Sequence, residues 1–386
     1  MNHTKEPTTQ NAIGTGRPHD ASRRRFLGYC RNAAILVGIG VAGWAFYSNV
    51  YDTEEASGGF NSRLYPQQKL HVGIKGICYS VGAQQDHPYR YFDWDMKKDI
   101  EAIHDKLGCN GIRIYGSDDA QVMKCARMAA NKDFDSILLL PFYEGATCDQ
   151  VVRKVGDFAE EAEKVRAESG KNIEMMIGNE LSTECSGIYP GNTLMQRIAQ
   201  IPIRADDEIY QNKLKKLLGD LIAVSRSSFN GRLCYGAATW EWPLPWDELD
   251  LDILGDQLYW YKEYGDPEDP SNDWFSHVKH FKQYSKPYYN TEFGCCCFEG
   301  AFDLGGGAWW DQYLTKLIDE DAQAEGIRKY MELFNKADDM GMAVDGCFLF
   351  RYLGENYPTE YGTEIKRAVE DHERKAYGMY ESWKKA

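Results

Sequence analysis

The sequence predicts a single closed (β/α)8 barrel, and three observations carry that expectation. From Leu70 onward, short apolar runs alternate with longer helical patterns, and the unit repeats about eight times. No Gly-x-Gly-x-x-Gly follows the first run, which disfavours a doubly wound open sheet. Two of the runs deliver a glutamate where the apolar stretch stops, Glu180 and Glu292. In a parallel barrel, the carboxyl ends of the strands are where ligands and reactive groups gather.

The elements follow in chain order. Residues 1–20 are polar with Gly, Thr and Pro and no apolar period, so they read as disordered. Residues 21–56 contain Ser22-Arg-Arg-Arg-Phe-Leu27 followed by an apolar run over 33–47. Twin arginines ahead of such a run resemble a twin-arginine export signal. The run falls short of the roughly 20 residues that span a bilayer. No small-x-small cleavage site precedes Ser57, so an uncleaved anchor stays open. The chain is accordingly expected to use the twin-arginine export machinery and to be secreted or membrane-anchored by residues 33–47.

Residues 70–386 form the barrel in this reading. Strands are expected at 70–81, 111–115, 136–143, 173–179, 232–239, 253–259, 287–293 and 343–350, where apolar and β-branched residues cluster between turn signals. Helical periodicity fills 95–107, 119–132, 149–169, 207–227, 273–284, 321–340 and 362–384. After the fifth strand, Pro243-Leu-Pro245 and an acidic patch leave room only for a short helix or a loop. Long connections at 181–206 and 294–320 follow the fourth and seventh strands, on the face that carries both glutamates. The second contains Gly305-Gly-Gly307 and Trp309-Trp310, a hinge followed by two flat apolar rings suited to a lid or to packing.

Composition narrows the partners. A net charge of −15 over 386 residues argues against nucleic acid or an anionic membrane surface and suits a neutral substrate. The eleven cysteines include no zinc-like Cys-x-x-Cys pair. Three successive thiols, Cys295-Cys296-Cys297, cannot all reach one tetrahedral ion without distortion. No metal and no cofactor are expected, and the thiols are either buried and free or paired in an oxidising compartment.

Two strand-end carboxyls suit glycosidic bond cleavage. One protonates the leaving oxygen while the other meets the positive charge growing at the anomeric carbon. Asn179, just before Glu180, adds an amide able to donate to a sugar hydroxyl. Glu144, Glu241 and Asp118 also sit near strand ends and are rivals for either role.

Asn179-Glu180 after the fourth strand and Glu292 at the end of the seventh resemble the acid/base and nucleophile of the clan A glycoside hydrolases, a TIM-barrel superfamily of retaining enzymes. The resemblance implies a carbohydrate substrate and a glycosyl-enzyme intermediate. It also implies that Arg113 steadies the nucleophile, that Tyr259 hydrogen-bonds it, and that Trp240 stacks on a sugar ring. Cys109-Asn-Gly-Ile-Arg-Ile-Tyr-Gly-Ser117, Gly178-Asn-Glu-Leu-Ser182 and Thr291-Glu-Phe-Gly-Cys-Cys296 are similar to barrel proteins often labelled abortive phage infection protein, a label that names a phenotype. Many clan members end the eighth strand in a tryptophan platform, where this chain has Phe350-Arg351, so Arg351 is a candidate reader of an acidic or sulfated substituent. A rival expectation keeps the barrel and drops the chemistry, giving a glycan-binding or envelope protein.

Overall fold

The computed structural model describes residues 69–81, 93–205, 207–296, 298–308 and 320–352. The expected export segment, the Trp309-Trp310 pair and the helical pattern at 362–384 lie outside these residues.

Eight parallel strands close in sequence order into one barrel: β1 (Ile74–Ser80), β2 (Gly111–Gly116), β3 (Ser136–Pro141), β4 (Ile173–Asn179), β5 (Leu233–Ala237), β6 (Ile253–Gln257), β7 (Tyr288–Phe293) and β8 (Gly346–Tyr352). All eight expected strands are present, mostly shorter than the apolar runs because only residues hydrogen-bonded to a neighbouring strand join the ladder. Two strands run past their expected ends, β2 to Gly116 and β8 to Tyr352, so Arg351 lies within the strand. The peptide between Phe350 and Arg351 is cis.

Between the strands run α1 (Asp93–Glu101), α2 (Asp119–Ala129), α3 (Cys148–Ser169), a set of short turns α4 (Leu181–Glu184), α5 (Leu194–Ile198) and α6 (Ile201–Arg204), then α7 (Glu208–Arg226), α8 (Asp273–Lys282), α9 (Ala301–Leu304) and α10 (Glu320–Asp339). The β5–β6 connection holds only two 3-10 turns, Thr239–Glu241 and Trp246–Glu248, as its prolines and acidic patch lead one to expect.

Local chemistry fixes the helix ends. Asp118, Asp207 and Asn272 each accept a backbone N–H of the first turn that has no partner within the helix. Thr147 and Gln150 close a reciprocal capping box at the start of α3. That helix ends at Gly170, whose φ of 64° suits a residue without a Cβ. Its buried face is Val151, Val155, Phe158, Ala159, Ala162 and Val165, a helical spacing that packs one stripe onto the strands.

The core has two layers. One lies between barrel and helices. The other fills the barrel and contains Tyr115, Leu138, Leu140, Met176, Ile253, Tyr289 and Phe348, contributed by alternate positions of the strands. Polar side chains close this interior at both ends, and they do so differently. At the amino end of β4, Glu174 is fully buried and accepts from Ser136 Oγ (2.6 Å), Asn172 Nδ2 (3.1 Å) and the Arg232 guanidinium.

Candidate active site

The carboxyl ends of β2, β4, β6 and β7 bring a polar cluster together at the barrel mouth. Arg113 projects from β2 and is almost wholly buried. Its Nη1 donates to Glu292 Oε1 (2.6 Å) and to the Thr291 carbonyl (2.9 Å), and its Nη2 lies 3.5 Å from Asn179 Oδ1. Burial alone would lower the Arg113 pKa, but the Glu292 charge and hydrogen bond, with Cys78 and Tyr115, together outweigh it, so the guanidinium stays charged. The Tyr259 hydroxyl donates to Glu292 Oε2 (3.3 Å). Burial, then the Glu292 charge, raises the Tyr259 pKa, so the phenol keeps the proton it donates. Both oxygens of Glu292 are therefore held, one by a cation and one by a neutral donor.

Glu180 is built the opposite way. It stands in the left-handed region at φ 43°, ψ 40°, the one non-glycine residue with positive φ among those described. Such a conformation costs a bulky residue about 1 kcal/mol and persists only where its surroundings over-determine it. They do so here. The Glu180 N–H donates to the Gly236 carbonyl (2.9 Å), Leu181 N–H to the Tyr235 hydroxyl (2.9 Å), and Ser182 N–H to Glu241 Oε1 (2.9 Å). Glu241 is buried and its Oε2 accepts from the Tyr235 hydroxyl (2.8 Å) and Ala238 N–H (3.0 Å). The β5 loop thus clamps the residues that launch Glu180.

No side-chain donor among the described residues engages the Glu180 carboxyl. Desolvation and then the Glu292 charge push its pKa well up, with Glu184 and Glu241 adding to the shift and Arg113 opposing it. The Glu180 carboxyl is thus biased toward its protonated form by burial and by the charge of the arginine-paired Glu292.

The remaining sequence-expected residues divide. Asn179 is buried, and its Oδ1 accepts from Gln257 Nε2 as well as facing Arg113, which leaves its amide hydrogens to donate elsewhere. A Cβ at Gly236 would come within 2.6 Å of that Oδ1, so β5 needs a glycine there for the Asn179 side chain to pass. Trp240 is half-buried against the core and donates its indole N–H to Ser182 Oγ (2.8 Å), tying it to the turn after Glu180. Arg351 donates to the Tyr115 hydroxyl (2.9 Å), and Tyr115 in turn packs under the Arg113 guanidinium at 5.3 Å. Among the rivals, Asp118 is a helix cap, Glu144 is exposed, and Glu241 is consumed by its clamp.

Sequence reasoning missed Gln257, Glu184 and the positioning task of Glu241. Gln257 carried the same signal as the glutamates, a polar residue ending an apolar run, and went unread. Glu184 carried none, since its placement depends on the turn that follows Glu180. Its Oε2 is buried without a hydrogen-bond partner among the described residues, and burial followed by the Glu144 charge lifts its pKa to about 8. No group of three or more His, Cys, Asp or Glu able to hold a metal occurs among the described residues.

The fold and its mouth define the class: a (β/α)8 barrel with two strand-end glutamates on its carboxyl face. Among solved structures, a GH113 beta-1,4-mannanase complex superimposes with a TM-score of 0.55 at 15% identity, covering 81% of this chain and 98% of the other. The GH113 beta-mannanase of Alicyclobacillus acidocaldarius does so with a TM-score of 0.52 at 14% identity, covering 81% and 96%. At such identity the likeness is one of fold. No protein-family model matches the chain, and no curated protein matches its sequence.

Proposed function

We propose that this protein is a retaining glycoside hydrolase in which Glu292 is the nucleophile and Glu180 the acid/base. The observation that carries the reading is the asymmetry of the pair: Glu292 is gripped by Arg113 and Tyr259, while Glu180 has a raised pKa and a carboxyl that no side chain among the described residues holds. In the first step, Glu292 attacks the anomeric carbon, the glycosidic C–O bond breaks, and Glu180 gives its proton to the departing oxygen. Esterification removes the Glu292 charge, which after desolvation is the largest cause of the raised Glu180 pKa. Glu180 then becomes the stronger acid and, as its carboxylate, takes a proton from the water that releases the sugar. One electrostatic coupling thereby serves both steps.

Asn179 would donate its free amide hydrogens to a sugar hydroxyl, and Trp240 would border the leaving-group side from the β5 loop. The likeness in fold to two beta-mannanases makes β-linked mannosides a sensible first substrate class to assay. Arg351, beside Tyr115, would favour a sugar bearing an acidic group at the β8 side.

The test is a panel of 2-deoxy-2-fluoro glycosyl fluorides, neutral and uronic, followed by peptide mass spectrometry. Glu292 should carry the covalent sugar, and hydrolysis of the matching glycan should retain anomeric configuration. A protein that binds glycans yet is never labelled and never turns one over would be the non-catalytic binder instead.

A further inference from the structure

Of the nine described cysteines, only Cys148 is not buried, and it has a partner thiol. It is the first residue of α3, whereas Cys185 closes the α4 turn that starts at Glu180. Their Sγ atoms lie 3.3 Å apart. The loops that carry them are laced together by backbone bonds. Gly145 N–H donates to the Glu184 carbonyl (2.9 Å), Ser186 N–H donates to the Ala146 carbonyl (2.8 Å), and Thr147 and Ser186 form an isolated parallel bridge. This lacing pins both backbones on either side of the thiols, so their approach does not depend on mobile side chains alone.

We propose that Cys148 and Cys185 form a reversible disulfide that staples the β3–α3 loop to the turn following Glu180. A disulfide needs the sulfurs at about 2.05 Å, so closure asks for about 1.3 Å of movement, which side-chain rotation can supply. Cys148 is the attacking sulfur because it is the accessible one. The S–H of Cys185, directed at Cys148, lowers the Cys148 pKa to about 7, and the amino end of α3 favours the thiolate as well.

The oxidant is a small disulfide such as oxidised glutathione. The Cys148 thiolate attacks one of its sulfurs, forms a mixed disulfide and expels one glutathione thiolate. Cys185 then loses its proton to solvent and attacks Cys148 Sγ, expelling the second. Two thiols become one disulfide, and the oxidant takes up the two electrons and ends as two thiols. The staple is independent of the glycosidase reading, because it is read at sulfur rather than through turnover.

The full chain is incubated with oxidised glutathione near pH 7, its remaining thiols are alkylated under denaturing conditions, and the unreduced digest is mapped by mass spectrometry. The expected product is one cross-linked peptide pair joining Cys148 to Cys185. The thermal midpoint should rise by about 5 °C on oxidation and return on reduction. Cys185→Ala should halt at a glutathione adduct on Cys148, and Cys148→Ser should give neither adduct nor shift. Recovery of Cys148 and Cys185 as separately alkylated peptides, or of Cys148 joined elsewhere, overturns the proposal. The wild-type map decides even if a variant fails to fold.

Discussion

Glu174 and Glu180 sit at opposite ends of the same strand run, and the barrel treats them in opposite ways. At the amino end, Glu174 has both oxygens filled by Ser136, Asn172 and Arg232, and Arg232 is braced by the Tyr289 hydroxyl (3.2 Å). At the carboxyl end, Glu180 is desolvated and feels the charges of Glu292, Glu184 and Glu241, with Arg113 opposing them. Glu174 is fully buried and Glu180 half-buried, yet exposure is the lesser contrast. What differs is saturation. A buried carboxylate whose donors are all supplied internally is a finished structural plug, and one whose donors are withheld is unstable by itself and free to act on a ligand. The Arg113–Glu292 pair stands between the two, since it is held firmly enough to aim but keeps its place beside Glu180.

The comparison breaks most decisively at Glu292. Glu292→Gln should lower kcat by at least ~10⁴-fold on an active glycoside while lowering the unfolding midpoint only slightly, because the countercharge lost to buried Arg113 is partly offset by relief of the charge felt at Glu180. Steady-state kinetics and a thermal melt on the same sample check both halves. A variant that melts early yet still turns over would make the mouth pair structural.

At the other end the effects should swap. Arg232→Ala leaves the fully buried Glu174 without its cation and should cost about 2 kcal/mol in urea unfolding, below the ~3–5 of a wholly buried pair because Arg232 is partly solvated. Its kcat/KM should stay within about twofold of the parent. A kinetic defect larger than the stability loss would erase the distinction between the two ends.

Glu241 tests whether the clamp matters. Glu241→Gln keeps the shape but converts one acceptor oxygen to a donor, opposite either Ser182 N–H or the Tyr235 and Ala238 donors. A misplaced Glu180 should lower kcat by about tenfold with KM nearly unchanged, and the basic limb of the pH profile should move with it. Equal loss in KM alone would assign Glu241 to substrate binding.

The smallest effect concerns Glu184, whose folded pKa of about 8 stands above its ordinary value of 4.5. Its stabilising contribution is present in full below about pH 4.5 and is lost as pH rises toward 8, since the unfolded chain gives up the proton first. Glu184→Gln should flatten the decline in unfolding midpoint across that window. An unchanged slope would mean that Glu184 ionises as it would in water.

The sequence by itself determined the strand count, the strand order and the ends at which Glu180 and Glu292 emerge. All of these follow from local periodicity, because an apolar run flanked by turn signals needs no distant partner to be read. Even the helix-poor β5–β6 connection was legible in Pro243 and Pro245. The Arg113–Glu292 contact was expected only through the family resemblance, and tertiary structure alone decided Gln257 of β6 against Asn179 of β4 and Glu241 beneath the turn that strains Glu180. It likewise brought Cys148 and Cys185 together across two loops. Barrel closure sets these meetings through strand stagger and tilt, which are properties of the whole ring and are written in no single stretch of residues.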